Sequence, residues 1–407
     1  MNLFSAILIF LLWRMFDFLI IFFSQKIIPY LGFFPYADQL PLFNLPRWIS
    51  ALANFDGLHY INIARNGYSQ YEQAFFPLYP LIIKYLSLLF SNNQLLTGLI
   101  ISNFSFLIGL VLFYKYLTSF NEFQRISTIF LLLIFPTSFF FGAVYTEGLF
   151  FLLLISTLFF LKKKNYFLVF IFAFLASLTR LIGVFLIIPI IFHLIEKCQI
   201  LKIKNKERAT KMVAPTAIYN YLQPFITSLA PFLGLGLYCL YLWQTTGDPF
   251  FFLTSQPIFG ANRSSHLILL PQVYWRYFKI FITAAHDSRF YISVIEFLIF
   301  NFVFVVLVLD FINIFKKNSN LFRISSFEFR VSDINRLGLN LFSLVNLLLP
   351  TLTGTFSSIP RYSLFSLSFF IYIAQIKSNF IKYFIFGIFV ILHILLLGYF
   401  SQGYFIS

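Results

Sequence analysis

The sequence is short of the residues that most often do chemistry or hold a soluble fold together. Of 407 residues, 14 are acidic, 5 are His and 2 are Cys. Cys198 and Cys239 stand far apart with no C-x-x-C, which excludes a disulfide framework and a zinc site. No H-E-x-x-H, Walker loop or Gly-rich phosphate loop occurs, and no D-x-D or D-D pair lies in 24–92 or 244–289. His266, and His286 with Asp287, lack ligand spacing. Neither a metal nor a cofactor is expected. Internal repeats and low-complexity linkers are missing too, so 1–407 reads as a single integral membrane domain.

What is present is oil. Hydrophobic residues make up 60% of the chain and aromatics 22%, against 11% charged. Apolar runs long enough to cross about 30 Å of hydrocarbon recur from end to end. In lipid each such run must satisfy its own backbone, so the fold class is an all-α polytopic membrane protein. The first run, from about Leu3 to Phe23, lacks a small-residue cleavage site and reads as a retained span despite Arg14 and Asp17. Basic clusters mark the cytoplasmic ends of spans. Lys115–Arg125, Lys162–Lys164, Glu196–Lys211, Lys316–Arg336 and Lys377–Lys382 hold +13 of the net +15, so orientation explains the charge and no nucleic-acid partner is expected. Residues 165–195 are apolar with basic flanks on both sides. Two short helices meeting near "LTRLIG" keep both flanks on one side, with Arg180 and Gly183 at the outer turn. The resulting map is a bundle of about 11 spans. After span 1 these are 93–114, 126–143, 147–161, 165–179, 181–195, 221–243, 290–315, 338–354, 360–376 and 381–400. The map has an inner N-terminus, large outer loops at 24–92 and 244–289, and an outer C-terminus.

On this map the ionisable residues that do not anchor cytoplasmic ends fall outside: Asp56, His59, Arg65, Glu72, Glu147, Arg180, Asp248 and Arg361. Tyr145 accompanies Glu147 in a tight outer turn within "FPTSFFFGAVYTEGLF". Ionisable groups near membrane depth are costly and commonly mark a pathway, a pair or a reaction site. In "NFDGLHYINIARNGYSQYEQAFFPLYP" (54–80), Asn54 is a plausible N-cap and Asn66–Gly67 a stop. The helix between them sets Asp56, His59 and Asn62 on one face and Leu58, Ile61 and Ala64 on another, an amphipathic helix lying at the outer surface. Each residue also has a plainer reading. The helix can be an interfacial anchor, the arginines can snorkel or pair structurally, and Glu147 can cap a helix beginning at Thr146.

The stretch 54–80 resembles the first outer loop of the GPI mannosyltransferase 2 (PIG-V) family and its bacterial homologues, within the GT-C superfamily of membrane glycosyltransferases. The resemblance continues in order through "FPTSFFFGAVYTEGLFFLLL", "FLASLTRLIG" and "IPRY", and so covers most of the chain. Members usually show Trp where this chain has Phe55, and eukaryotic members follow the Arg with polar residues where Leu181 and Ile182 stand here. The second difference favours an acceptor other than a GPI precursor. The resemblance implies an inverting glycosyltransferase using a polyprenyl-phosphate sugar, commonly dolichyl-phosphate mannose, on the extracytoplasmic or lumenal side. The setting is the bacterial plasma membrane, or the ER membrane in a eukaryote.

Carried onto this sequence, the resemblance makes Asp56 the general base. A polyprenyl phosphate is a good leaving group, so the reaction needs a carboxylate for the acceptor proton and cations for the phosphate. Arg180 and Arg361, with His59, are the expected phosphate-binding residues; Glu72, Tyr145 and Glu147 are expected to orient sugar hydroxyls or fix the loop. The expected partners are the lipid donor, a glycolipid or cell-surface glycan acceptor and the bilayer, with an accessory membrane subunit left open. Mannose is expected over another hexose. The rival readings are a transporter or flippase of lipid-linked sugars, which calls for matching repeats or broken helices, and a non-catalytic assembly subunit.

Overall fold

The computed structural model describes residues 3–207, 216–259, 263–264, 266–319 and 331–406, and every regular element among them is helical. Parts of two expected cytoplasmic segments, 208–215 and 320–330, lie outside the described residues. The first apolar run forms α1 (Leu3–Ile27). The next sixty residues form three short helices, α2 (Arg47–Ser50), α3 (Asp56–Asn66) and α4 (Leu78–Leu86), joined through single 3-10 turns. Then come α5 (Gln94–Tyr116), α6 (Glu122–Ile134), α7 (Glu147–Lys162) and α8 (Tyr166–Thr179). Starts are written in the sequence by polar residues ahead of apolar runs. Asn93 and Asn165 accept from backbone N–H groups three residues on, and Asn121 with Gln124 completes a capping box.

The chain continues through α9 (Ile187–Glu207), α10 (Thr216–Thr246), α11 (Phe251–Thr254), α12 (Leu270–Thr283) and α13 (Ser288–Ser319). It ends with α14 (Val331–Leu348), α15 (Ile359–Ser363), α16 (Leu367–Ala374) and α17 (Asn379–Ser401). Six stretches among the described residues are long and apolar enough to cross a membrane: Phe4–Ile27, Gln94–Tyr116, Phe225–Thr246, Ser288–Lys316, Asp333–Thr353 and Asn379–Ser401. The chain is a multi-pass membrane protein. The other expected spans are shorter or broken. At 1.5 Å per residue α7 is about 24 Å long and α8 about 21 Å. The expected spans at 181–195 and 360–376 are divided, the first between the 3-10 helix Leu181–Leu186 and α9, the second between α15 and α16.

The largest departure from expectation is the stretch around 135–147. It is not a tight outer turn. Every residue from 131 to 151 is buried, although the backbone between α6 and α7 is not α-helical. Non-helical backbone buried inside a membrane protein survives only where protein groups satisfy its donors and acceptors. Here polar side chains and neighbouring backbone do so. The Gly142 carbonyl accepts from Arg14 (3.3 Å) and Asn103 (3.0 Å). The Val144 N–H donates to the Leu52 carbonyl (2.9 Å). His393 Nδ1 lies 3.2 Å from both the Phe135 carbonyl and Ser138 Oγ, while its Nε2 meets Asp17 (2.9 Å), which also binds Arg14 (2.7 Å). The polar pair that seemed out of place in span 1 therefore ties α1 and α17 to this buried segment.

Candidate active site

α3 does not lie at a surface. Leu58, Ile61 and Ala64 are buried, as expected of the apolar face, but so is Asn62 on the polar one. Asn54 does not cap it either: its amide donates to the Phe400 carbonyl (2.9 Å). The residue before the helix is Phe55, held at φ 59°, ψ −117°, a region that non-glycine residues seldom occupy. Its ring is wedged among Phe34, Phe400 and Phe405, with centroids 4.6–5.9 Å away. This aromatic clamp holds the strained backbone from which Asp56 starts the helix. Gly67, at φ 83°, ends it as the Asn-Gly pair foretold.

Asp56 faces Arg361, which comes from the short helix α15. Arg361 donates to Asp56 Oδ2 at 2.7 Å and, through Nε, to Glu147 Oε1 at 3.1 Å. Arg180 donates to the same Glu147 oxygen (2.6 Å) and to Thr146 Oγ1 (3.0 Å). Two carboxylates and two guanidinium groups thus form one chain, Asp56–Arg361–Glu147–Arg180. The four residues lie 305 positions apart at the extremes and come from α3, α15, the start of α7 and the break after α8. That break has a local cause. Arg180 is extended at φ −155°, and the following 3-10 turn presses Gly183 onto the backbone of Ala176, where a Cβ would not fit.

Aromatic faces complete the cage. The Arg361 guanidinium sits 4.8 Å from the ring centroids of both Phe140 and Tyr145. Arg180 sits 4.9 Å from Tyr362 and 5.3 Å from Phe365. Such faces attract a cation while excluding water. Exposure separates the two carboxylates: the Asp56 side chain is 27% exposed and that of Glu147 0%. Asp56 is the one that another molecule can reach. Burial alone would push the Asp56 carboxyl up, but the Arg361 guanidinium against it, helped by His59 and Arg263, holds it below its ordinary value. Glu147 keeps one oxygen, Oε2, buried with no hydrogen-bond partner among the described residues.

The remaining expected residues divide. His59 and Glu72 pair with each other (3.0 Å), with His59 stacked on Phe75 and Glu72 also accepting from the Ser69 N–H (3.0 Å). Tyr145 is buried and its hydroxyl donates to the Asn54 carbonyl (2.7 Å), so it fixes the strand of chain leading to Asp56. Glu147 does not act as a helix cap; its carboxylate is taken by the two arginines. Arg65 is exposed in the last turn of α3, and Asp248 is a half-buried turn residue that accepts from the Phe250 N–H and the Thr254 hydroxyl. Arg263 went unnoticed in the sequence. It donates to Gln256 Oε1 and Ser358 Oγ, both at 3.1 Å, and lies near enough to act on Asp56. A cation in a segment expected outside was a signal, but Arg276 and Lys279 in the same segment hid it.

No group of three or more His, Cys, Asp or Glu side chains suited to a metal occurs among the described residues. A cavity of about 320 Å³ opens elsewhere, between α13, α14 and α16 beside Arg336. Arg336 is paired with buried Asp310, and no residue of the Asp56 centre lines that cavity.

The chain is thus of the class of multi-pass helical membrane proteins, with a partly exposed carboxylate paired to a buried guanidinium group. Within that class the family is clear: residues 9–248 match the family model Mannosyltransferase (PIG-V), and the chain belongs to that family. Membership makes it a membrane glycosyltransferase of the mannosyl type. Comparison with curated proteins and with solved structures returns no match. The matched region contains Asp56, His59, Glu72, Tyr145, Glu147 and Arg180; Arg263 and Arg361 lie beyond it.

Proposed function

We propose that the protein is an inverting mannosyltransferase that moves mannose from a polyprenyl- or dolichyl-phosphate donor to a hydroxyl of a glycolipid or cell-surface glycan on the extracytoplasmic side. The observation that carries this reading is the ion pair between partly exposed Asp56 and buried Arg361 (2.7 Å). It joins a proton acceptor to a phosphate-binding group at one point.

The step balances without a further reagent. As the acceptor oxygen bonds to the anomeric carbon, its proton passes to the Asp56 carboxylate. The bond from that carbon to the phosphate oxygen breaks, and its electron pair leaves on the prenyl phosphate. Guanidinium forks suit the oxygens that gain charge, which gives Arg361, with Arg180 behind it and His59 beside Asp56, the phosphate-facing role. Before substrate arrives, Arg361 occupies the base. A phosphate drawing on Arg361 loosens that pair and leaves the carboxylate free for the acceptor proton. Glu147 Oε2 is an acceptor in want of a donor, which fits a sugar hydroxyl. Glu72 and Tyr145 act by fixing His59 and the chain before Asp56.

The test is transfer from dolichyl-phosphate mannose by protein purified into nanodiscs, with products of an acceptor screen read by mass spectrometry. Asp56→Asn keeps the shape and removes the base, and a drop of about 10²–10⁴-fold is expected. Full activity in that variant removes Asp56 from the role. Movement of lipid without a glycosidic product turns the reading to a flippase.

A further inference from the structure

The charges of the centre are already matched. Arg361 shares itself between Asp56 and Glu147, and Arg180 faces Glu147. Two guanidinium groups oppose two carboxylates, and His59 is engaged by Glu72. A phosphodiester brings one more negative charge. Entering a balanced and largely buried quartet, it must strip a carboxylate of its partner before gaining one itself, an unfavourable exchange away from water.

Arg263 is placed differently. Its two hydrogen-bond partners, Gln256 Oε1 and Ser358 Oγ, are neutral, and no carboxylate among the described residues lies within ion-pair distance of it. It is half-buried, so a ligand can reach it. Ser358 stands three residues before Arg361 and immediately precedes α15, so the hydroxyl that holds Arg263 belongs to the same short segment that presents Arg361 to Asp56. The charge of Arg263 is felt at Asp56 and helps hold that carboxyl down.

We propose that Arg263 is the cation that first receives the phosphate of the lipid-linked donor, with Arg361 joining as it leaves Asp56 and Arg180 remaining with Glu147. This deepens the transferase reading and rests on it for the identity of the donor. Its own content is a phosphate subsite at Arg263, built from an unmatched guanidinium and the Ser358 hydroxyl.

The experiment uses the full chain in nanodiscs, with farnesyl phosphate as probe and uncharged farnesol as control. Binding is read by microscale thermophoresis. Arg263→Gln and Arg263→Met both remove the charge, the second keeping more of the stem, and Arg263→Lys retains it. Loss of a hydrogen bond to a charged group corresponds to a weakening of roughly 10–100-fold. That weakening is expected for farnesyl phosphate in both neutral variants, with farnesol unchanged and Arg263→Lys restoring most of the affinity. With dolichyl-phosphate mannose, the neutral variants should raise the donor KM more than they lower kcat. Wild-type affinity in a folded neutral variant overturns the assignment. So does a wild-type protein that ignores farnesyl phosphate, or an Arg263→Lys as weak as the neutral variants, which marks a structural arginine. Phosphate binding through Arg263 without mannose transfer sinks the transferase reading alone; transfer with an unchanged donor KM sinks the subsite alone.

Discussion

At the scale of single residues, the centre shows how one guanidinium sets the state of a carboxylate. Burial raises the Asp56 carboxyl and Arg361 more than reverses it, so Asp56 is ionised across the whole neutral range. A carboxyl held below its unfolded value contributes stability above that value and loses it as pH falls through the lower, folded one. The pair therefore adds no pH dependence between about pH 5 and 8. Carbodiimide labelling, which requires the protonated acid, reads this directly. In the wild type Asp56 should react only below the ordinary carboxylate range. In Arg361→Gln the push from burial is left with its main opponent gone, and labelling should begin at higher pH. Equal profiles in the two proteins mean that Arg361 does not govern Asp56.

Asp56, Glu147, Arg180 and Arg361 were legible as candidates because each stands in a short patch of recognisable order and each is an expensive charge in an oily chain. Their linkage was not legible, since nothing local says that residue 56 meets residue 361. Asn54 shows the limit well. An Asn ahead of a helix is ordinarily its cap, yet a carbonyl at Phe400 takes the side chain, and Phe55 carries the turn through a backbone strain of about 1–3 kcal/mol held by its aromatic neighbours.

Among the elements, α7 matters most because Glu147 is its first residue. Its first turn is pinned by a close approach: a Cβ on Gly148 would strike the backbone oxygens of Ser102 in α5 and of Phe141. Neither can swing aside as a side chain would. Gly148→Ala should destabilise the protein by about 1–3 kcal/mol, read as a fall in the thermal midpoint of the detergent-solubilised protein. Gly236→Ala is the control. That glycine lies in α10 with open space around it, and alanine there should be neutral or stabilising by about 0.5–1 kcal/mol. If both substitutions behave alike, the close approach does not constrain the helix. The broken elements also show what a count of spans from the sequence does not read. Hydropathy marks 126–143 and 360–376 as apolar, and they are; only the folded chain shows that neither is one continuous helix.

For the whole molecule, the side of the reaction follows from orientation. In sealed cells expressing protein freed of Cys198 and Cys239, a membrane-impermeant maleimide should label cysteines placed at the exposed positions Ser69 and Leu267. One at Lys163 should react only after permeabilisation. The reverse pattern puts Asp56 on the cytoplasmic side and removes the extracytoplasmic donor from the proposal.

The stitching of segments so far apart in sequence has a consequence for how such a protein comes into being. Asp17 meets His393, Asn54 meets Phe400, Ser24 meets Ser401, and Asp56 waits for Arg361. During synthesis the carboxylate leaves the ribosome 305 residues ahead of its counter-charge. A chain broken off between the two therefore carries an acid without its guanidinium partner, and the quartet of charges cannot assemble.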